Sequence, residues 1–196
     1  TVKKIDIGSV IGQRTLVTID SKPVQVPDPK NLIHLQFRRF AGCPFCSVHL
    51  RSFAKHHDKI TKAGIREVVV FRSTAAALRR HHADTPFAVI PDPGDKLNAE
   101  FGVGSGLHAL LHPHALLMAL RNVIRMLPRL PGIPPWGKGA LGLPADFLIA
   151  TDGRVLASAL VLRRWLAGDA STRVARMRRT GFAVTVVAPV ANEVKS

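Results

Sequence analysis

His34-Leu35-Gln36-Phe37-Arg38-Arg39-Phe40-Ala41-Gly42-Cys43-Pro44-Phe45-Cys46 carries both cysteines of this chain. Leu32 to Phe37 reads as a strand, and Arg38 to Gly42 as a short loop. Pro44 suits the first turn of a helix, where its missing N–H is no loss. Helical spacing then runs to about Ala63, with Val48, Phe53 and Ile60 as candidates for the buried side and Gly64 as the stop. Cys43 is thereby placed at a helix N-terminus, where unpaired backbone N–H groups and the macrodipole favour an anion. Arg38 and Arg39 add positive charge nearby, and both influences raise the thiolate fraction. Cys46 lies almost one turn further on, on the same face and deeper in the helix. The spacing assigns roles: Cys43 as nucleophile, Cys46 as resolver. Two other readings stay open at this level. One is a buried thiol pair without chemistry. The other is zinc held with the nearby His49, His56 and His57, although a tetrahedral site usually has a second knuckle and none follows.

Outward from this stretch the chain alternates strand and helix signals. Upstream, Thr15–Ile19 and Val24–Val26 flank the turn cluster Asp20-Ser21-Lys22-Pro23 and predict a β-hairpin. Downstream, Ile65 to Phe71 contains Val68-Val69-Val70, an apolar run suited to a strand buried on both faces. Ser73 is expected to cap a helix from Thr74 to about Ala83. Phe87–Ile90 reads as a strand and Lys96–Phe101 as a short helix. The order β-α-β-α-β argues for an α/β layer fold around a central sheet. Further on, Asp146–Ala150, the turn Thr151-Asp152-Gly153 and Arg154–Ala157 form a second hairpin signal.

At 196 residues, with 46% hydrophobic and 21% charged residues, the chain has ordinary globular composition, which excludes a disordered protein. No run of about 18 apolar residues lacks a charge, so no transmembrane span is expected. Thr1-Val2-Lys3-Lys4 leads into no signal-type apolar run, and a cytoplasmic location is expected. Two thiols in that compartment favour redox or metal chemistry over a structural bridge. Twenty-eight Lys and Arg against thirteen Asp and Glu give a net charge of +15. The excess is spread along the chain, with a local concentration at Arg163, Arg164, Arg173, Arg176, Arg178 and Arg179. Aromatic residues to stack bases are few, so an Arg-rich solvated surface is expected rather than a specific nucleic-acid partner.

Residues from about Val24 to Ala157 resemble the peroxiredoxin-like branch of the alkyl hydroperoxide reductase/thiol-specific antioxidant (AhpC/TSA) family. The carrying stretches are 34–46, Arg66–Phe71, Pro91-Asp92-Pro93 through Glu100–Val103, and Leu143–Ile149 through Asp152–Val155. The resemblance implies a thioredoxin-like α/β fold, with an N-terminal hairpin and a helical insertion before the final hairpin. It implies one domain over residues 1–196: a core at about 24–157, a helical and Pro/Gly-rich insertion at 106–143, and an atypical Arg-rich segment at 158–196. Cys43 is then the expected redox-active thiol. Typical members carry a Pro seven residues and a Thr three residues before that cysteine, and the Thr hydroxyl orients the peroxide. This chain has Gln36 and Phe40 there, and Cys-Pro-Phe-Cys instead resembles a glutaredoxin- or thioredoxin-type dithiol. In thioredoxin-like folds a cis-proline often precedes the strand facing the Cys motif. Leu143-Pro144-Ala145-Asp146-Phe147 resembles that position, implying a cis Leu143–Pro144 bond beside Cys43, with Pro44 and Phe45 as the other neighbours.

The expected function is thiol-dependent reduction of peroxides or disulfides through a Cys43/Cys46 dithiol–disulfide cycle, reset by an external thioredoxin-type dithiol and needing no cofactor or metal. The alternatives are a disulfide reductase without peroxidase activity and a redox sensor without turnover. His56, His57, His81, His82, His108, His112 and His114 are expected to be exposed or hydrogen-bonded rather than metal-bound. Arg121, Arg125 and Arg129 recur along an apolar helical pattern. Packing on the domain or on a second subunit, as in a homodimer, is expected there, with membrane-surface contact as the sharper alternative.

Overall fold

The computed structural model describes residues 5–104 and 142–160. The expected cationic helix at 121–129, His108, His112, His114, most of the 106–143 insertion and nearly all of the Arg-rich C-terminal segment lie outside them. β1 (Arg14–Val17) and β2 (Pro23–Val26) form the expected antiparallel hairpin. A five-stranded sheet follows in the order β5-β4-β3-β6-β7. Its parallel half comprises β3 (Leu32–Arg38), β4 (Ile65–Phe71) and β5 (Ala88–Pro91). On the other side of β3 lie β6 (Ala145–Ile149) and β7 (Val155–Leu160), both antiparallel to their neighbours. The last strand runs to Leu160, into the segment expected to begin a separate Arg-rich tail, because pairing with Ala145 and Asp146 continues through Ala159 and Leu160.

The helical stretch expected over 44–63 is two helices, α1 (Pro44–Lys55) and α2 (His57–Lys62), with His56 between them at φ −108°. Gly64, at φ +71°, turns the chain back into β4. α3 (Ala75–His82) is capped by Thr74, whose Oγ1 accepts the Ala77 N–H, and not by Ser73. The Ser73 hydroxyl instead accepts the Ala41 N–H at 2.9 Å, tying the cysteine loop to the end of β4. At the start of α4 (Lys96–Glu100) the backbone N–H groups of Lys96 and Asn98 donate to the Asp92 carboxylate.

Strand alternation sorts the sheet into two faces. Ile33, Leu35 and Phe37 of β3 join Val68, Val70, Ile90 and Phe147 in one apolar core, covered by Leu16, Val24 and Val26 of the hairpin and by Phe101 and Val103. Each such fully buried side chain contributes about 1.5–3 kcal/mol of burial free energy. The second core takes Val69, Phe71 and Val89 from the sheet, Leu50 and Phe53 from α1, Ile60 from α2 and Leu78 from α3. Both cysteines belong to this second core. No helix of the described residues is long and apolar enough to cross a membrane.

Candidate redox site

The site begins where β3 ends. Arg39 to Gly42 form the loop, and Cys43 is the N-cap of α1 with extended backbone (φ −61°, ψ 115°) and Pro44 in the first turn. Gly42 takes φ +77°, a conformation that favours glycine, and a Cβ there would meet the His81 ring of α3 at 3.2 Å. The loop is pinned on three sides. Arg72 N–H donates to the Arg39 carbonyl at 3.0 Å, Cys43 N–H to Phe40 O at 3.2 Å, and Ala41 N–H to Ser73. Ser47 closes the first turn through its N–H and its hydroxyl, both donating to Cys43 O.

Cys43 and Cys46 are both thiols, and each is only 1% exposed. Accessibility was expected to separate them; it does not. What marks Cys46 out is the upward push on its pKa. The hydrogen bond shared with Cys43, together with burial, pushes the Cys46 pKa well above its ordinary value. The Arg39 backbone N–H and the charge of Arg38 oppose this without reversing it. A proton held on Cys46 and directed at Cys43 is the state in which Cys43 can carry the negative charge.

The two arginines expected to stabilise the thiolate are placed differently from that reading. Arg39 contributes its backbone N–H to Cys46, while its guanidinium Nε donates to Gly142 O at 3.0 Å. Arg38 is buried in the sheet face beneath α1, and its NH2 donates to Asp146 Oδ1 at 2.7 Å and to Gln36 Oε1. Its NH1 reaches the carbonyls of Phe37 and Ala145. Asp146 thus pairs with Arg38, whose charge still acts to lower the Cys46 pKa. Pro44 opens α1 with Phe45 after it. Pro144 is buried directly before β6, two residues from the Gly142 carbonyl that Arg39 holds. The Leu143–Pro144 bond is not cis: the cis bond among the described residues is Val26–Pro27. The residue before a proline already favours extended backbone, and here it leads straight into a strand.

A row of polar side chains lies on the same sheet face and went unrecognised in the sequence. His34, Gln36 and Arg38 alternate along β3, with Glu67 opposite His34 on β4 and Asp146 opposite Gln36 on β6. All five are buried. Gln36 Nε2 donates to Glu67 Oε1 at 3.2 Å, and His34 lies 3.7 Å from both Glu67 and Asp146. His57, 27% exposed at its side chain, approaches Glu67 Oε2 at 3.5 Å from the solvent edge. The available signal was polar residues at alternate positions within otherwise apolar strands. Of the other histidines, His56 contacts Ser52 O at 2.8 Å, while His82 is buried and stacked on Phe71. Among the described residues no three His, Cys, Asp or Glu side chains converge as a metal-holding group.

No family model matches the chain, and no curated protein matches it in sequence. Solved structures do match. The peroxidoxin BcpB of Mycobacterium tuberculosis superposes with a TM-score of 0.64 at 15% identity, over 90% of this chain and 98% of that one. A peroxiredoxin-like protein of Aquifex aeolicus gives 0.59 at 16% identity, over 90% and 88%. A Chlorobium tepidum protein assigned as a thiol:disulfide interchange protein DsbE gives 0.58 at 16% identity, over 90% and 98%. Likeness at this level of identity establishes architecture, and the chain has a thioredoxin-like α/β fold.

Proposed function

We propose that this protein is a dithiol redox protein that reduces disulfides through a Cys43/Cys46 cycle. The observation that carries this reading is the pair of free thiols, Cys43 and Cys46, in contact at the head of α1. Cys43 thiolate attacks one sulfur of a substrate disulfide, forming a mixed disulfide and expelling one thiolate. Cys46 then loses its proton, attacks the Cys43 sulfur and expels the second thiolate. The protein is left as the Cys43–Cys46 disulfide, with the substrate reduced to two thiols. An external dithiol of thioredoxin type returns it to the reduced state. Peroxide reduction would follow the same cycle through a sulfenic acid on Cys43, releasing an alcohol or water and then water on resolution. Disulfides are favoured because Phe40, packed against the second core, brings no hydroxyl to orient a peroxide.

The test is thiol counting by intact mass after one equivalent of a neutral disulfide or of hydroperoxide. Wild type loses both thiols to an internal disulfide, and does so faster with the disulfide. Cys46→Ser arrests as a mixed disulfide on Cys43, whereas Cys43→Ser reacts at least about tenfold more slowly than wild type, since its remaining thiol stays buried and burial disfavours its thiolate. Equal reaction of Cys43→Ser and wild type overturns the assignment.

A further inference from the structure

A cleft of about 380 Å³ opens between α1 and the C-terminal end of α3, directly beside the cysteine loop. Ser47 and His81 form its inner edge. Ser47 bonds the Cys43 carbonyl, and the His81 ring lies against Gly42, so this edge is continuous with the redox site. The walls are cationic: Arg51 comes from α1, Arg79 and Arg80 from α3, and Asp84 is the one acidic residue of the lining. Arg79 turns its guanidinium to the Ile19 carbonyl. Arg51 and Arg80 are exposed and have no hydrogen-bond or ion-pair partner among the described residues. Two guanidinium forks without internal acceptors, in a concave site, suit planar oxyanions, which they bind bidentately.

Resting on the proposed disulfide exchange, we infer that this cleft binds carboxylate-bearing disulfides, with Arg51 and Arg80 gripping the carboxylates while the sulfur–sulfur bond lies against the Ser47–His81 edge. Both cysteines are buried, so exchange requires the Gly42 loop to shift from His81. A substrate already anchored about two helical turns away is present whenever the loop opens, which raises its effective concentration at Cys43. Arg51 and Arg80 are positioning residues on this account. They do not touch the reacting sulfurs, and the exchange retains its balance: one disulfide and the protein dithiol give two substrate thiols and the Cys43–Cys46 disulfide.

Single-turnover rates with dithiodipropionate (a dicarboxylate), bis-hydroxyethyl disulfide (neutral) and cystamine (a dication) test the inference. A free thiolate reacts most slowly with the dicarboxylate, because like charges repel. This protein is expected to invert that order. Arg51→Gln/Arg80→Gln lowers the dicarboxylate rate roughly three- to tenfold and leaves the neutral rate unchanged, as expected for two solvent-accessible charge contacts. Salt of about 1 M removes the preference in wild type. Lys59→Gln/Lys62→Gln, an equal loss of charge on the exposed part of α2, controls for the general field of a +15 protein. An equal loss in that control overturns the site, as does wild type without a dicarboxylate preference. Titration with thiodipropionate, a redox-inert thioether, separates the two proposals. Saturable binding lost in the Arg51/Arg80 variant supports the cleft even if no disulfide reacts, in which case the redox reading alone fails. Reaction with the neutral disulfide without thioether binding refutes the cleft alone.

Discussion

Removing Asp146 tests whether the buried ion pair beneath the cysteines holds the sheet together and influences Cys46. Arg38 and Asp146 are 1% and 4% exposed, and their closest polar atoms are 2.7 Å apart. With charge centres about 4 Å apart, such a pair is worth about 4 kcal/mol at an effective dielectric near 20. Arginine cannot escape by losing its proton. Asp146→Leu therefore strands a buried guanidinium, at an expected cost of about 3–5 kcal/mol. That is a large part of the roughly 5–15 kcal/mol typical of a domain. Arg38→Met/Asp146→Leu removes both charges and should recover at least about 2 kcal/mol of that loss. Urea unfolding followed by circular dichroism under reducing conditions measures all of these. The charge of Arg38 also favours the Cys46 thiolate. Without Asp146 to match it, Cys46 should alkylate faster at a given pH, as read by mass mapping below the unfolding transition. A cost under about 1 kcal/mol for Asp146→Leu, or a double variant as unstable as the sum of the singles, refutes the reasoning.

Two further perturbations have defined signs. Burial and the neighbouring His81 hold His82 below its ordinary pKa of 6.5. The unfolded chain therefore binds a proton that the folded chain resists, so this contribution is complete above about pH 6.5 and is lost as the pH falls below it. His82→Phe keeps a ring against Phe71 and should flatten the fall in urea midpoint between about pH 7.5 and about pH 5.5; an unchanged slope contradicts this. Gly153, at φ +87° in the β6–β7 turn, would carry a Cβ 2.6 Å from the Ile11 carbonyl. Gly153→Ala should cost about 2–4 kcal/mol by unfolding, from left-handed backbone strain and loss of the N-terminal segment that pairs there. A change below about 0.5 kcal/mol would show that this segment yields freely.

Short-range chemistry made much of the fold legible. Val68-Val69-Val70 announced a two-sided buried strand, and β4 is one. Pro44 after a strand announced a helix start, and Cys43 stands at it as the N-cap. The hairpin around Asp20–Lys22 and the turn at Gly153 followed from turn residues between apolar runs. Where two local signals competed, the sequence was ambiguous. Ser73 and Thr74 are both good caps, and the choice fell to Thr74 because the Ser73 hydroxyl is taken by Ala41, 32 positions away in the chain.

The sequence by itself determined that a dithiol spaced Cys-x-x-Cys heads a helix after a central strand, because capping, proline stereochemistry and strand alternation act over a few residues. Only the tertiary structure decided the environment of that dithiol. β6 joins β3 on the side away from β4 and brings Asp146 to Arg38 across 108 positions of sequence, so that an arginine whose charge acts on Cys46 is also half of a buried ion pair. α1 and α3 pack over the second core so that Cys43 and Cys46 are equally buried and His81 lies on Gly42. Burial and electrostatic pairing between distant segments depend on how strands order themselves in a sheet, and strand order leaves no mark on the local pattern of residues.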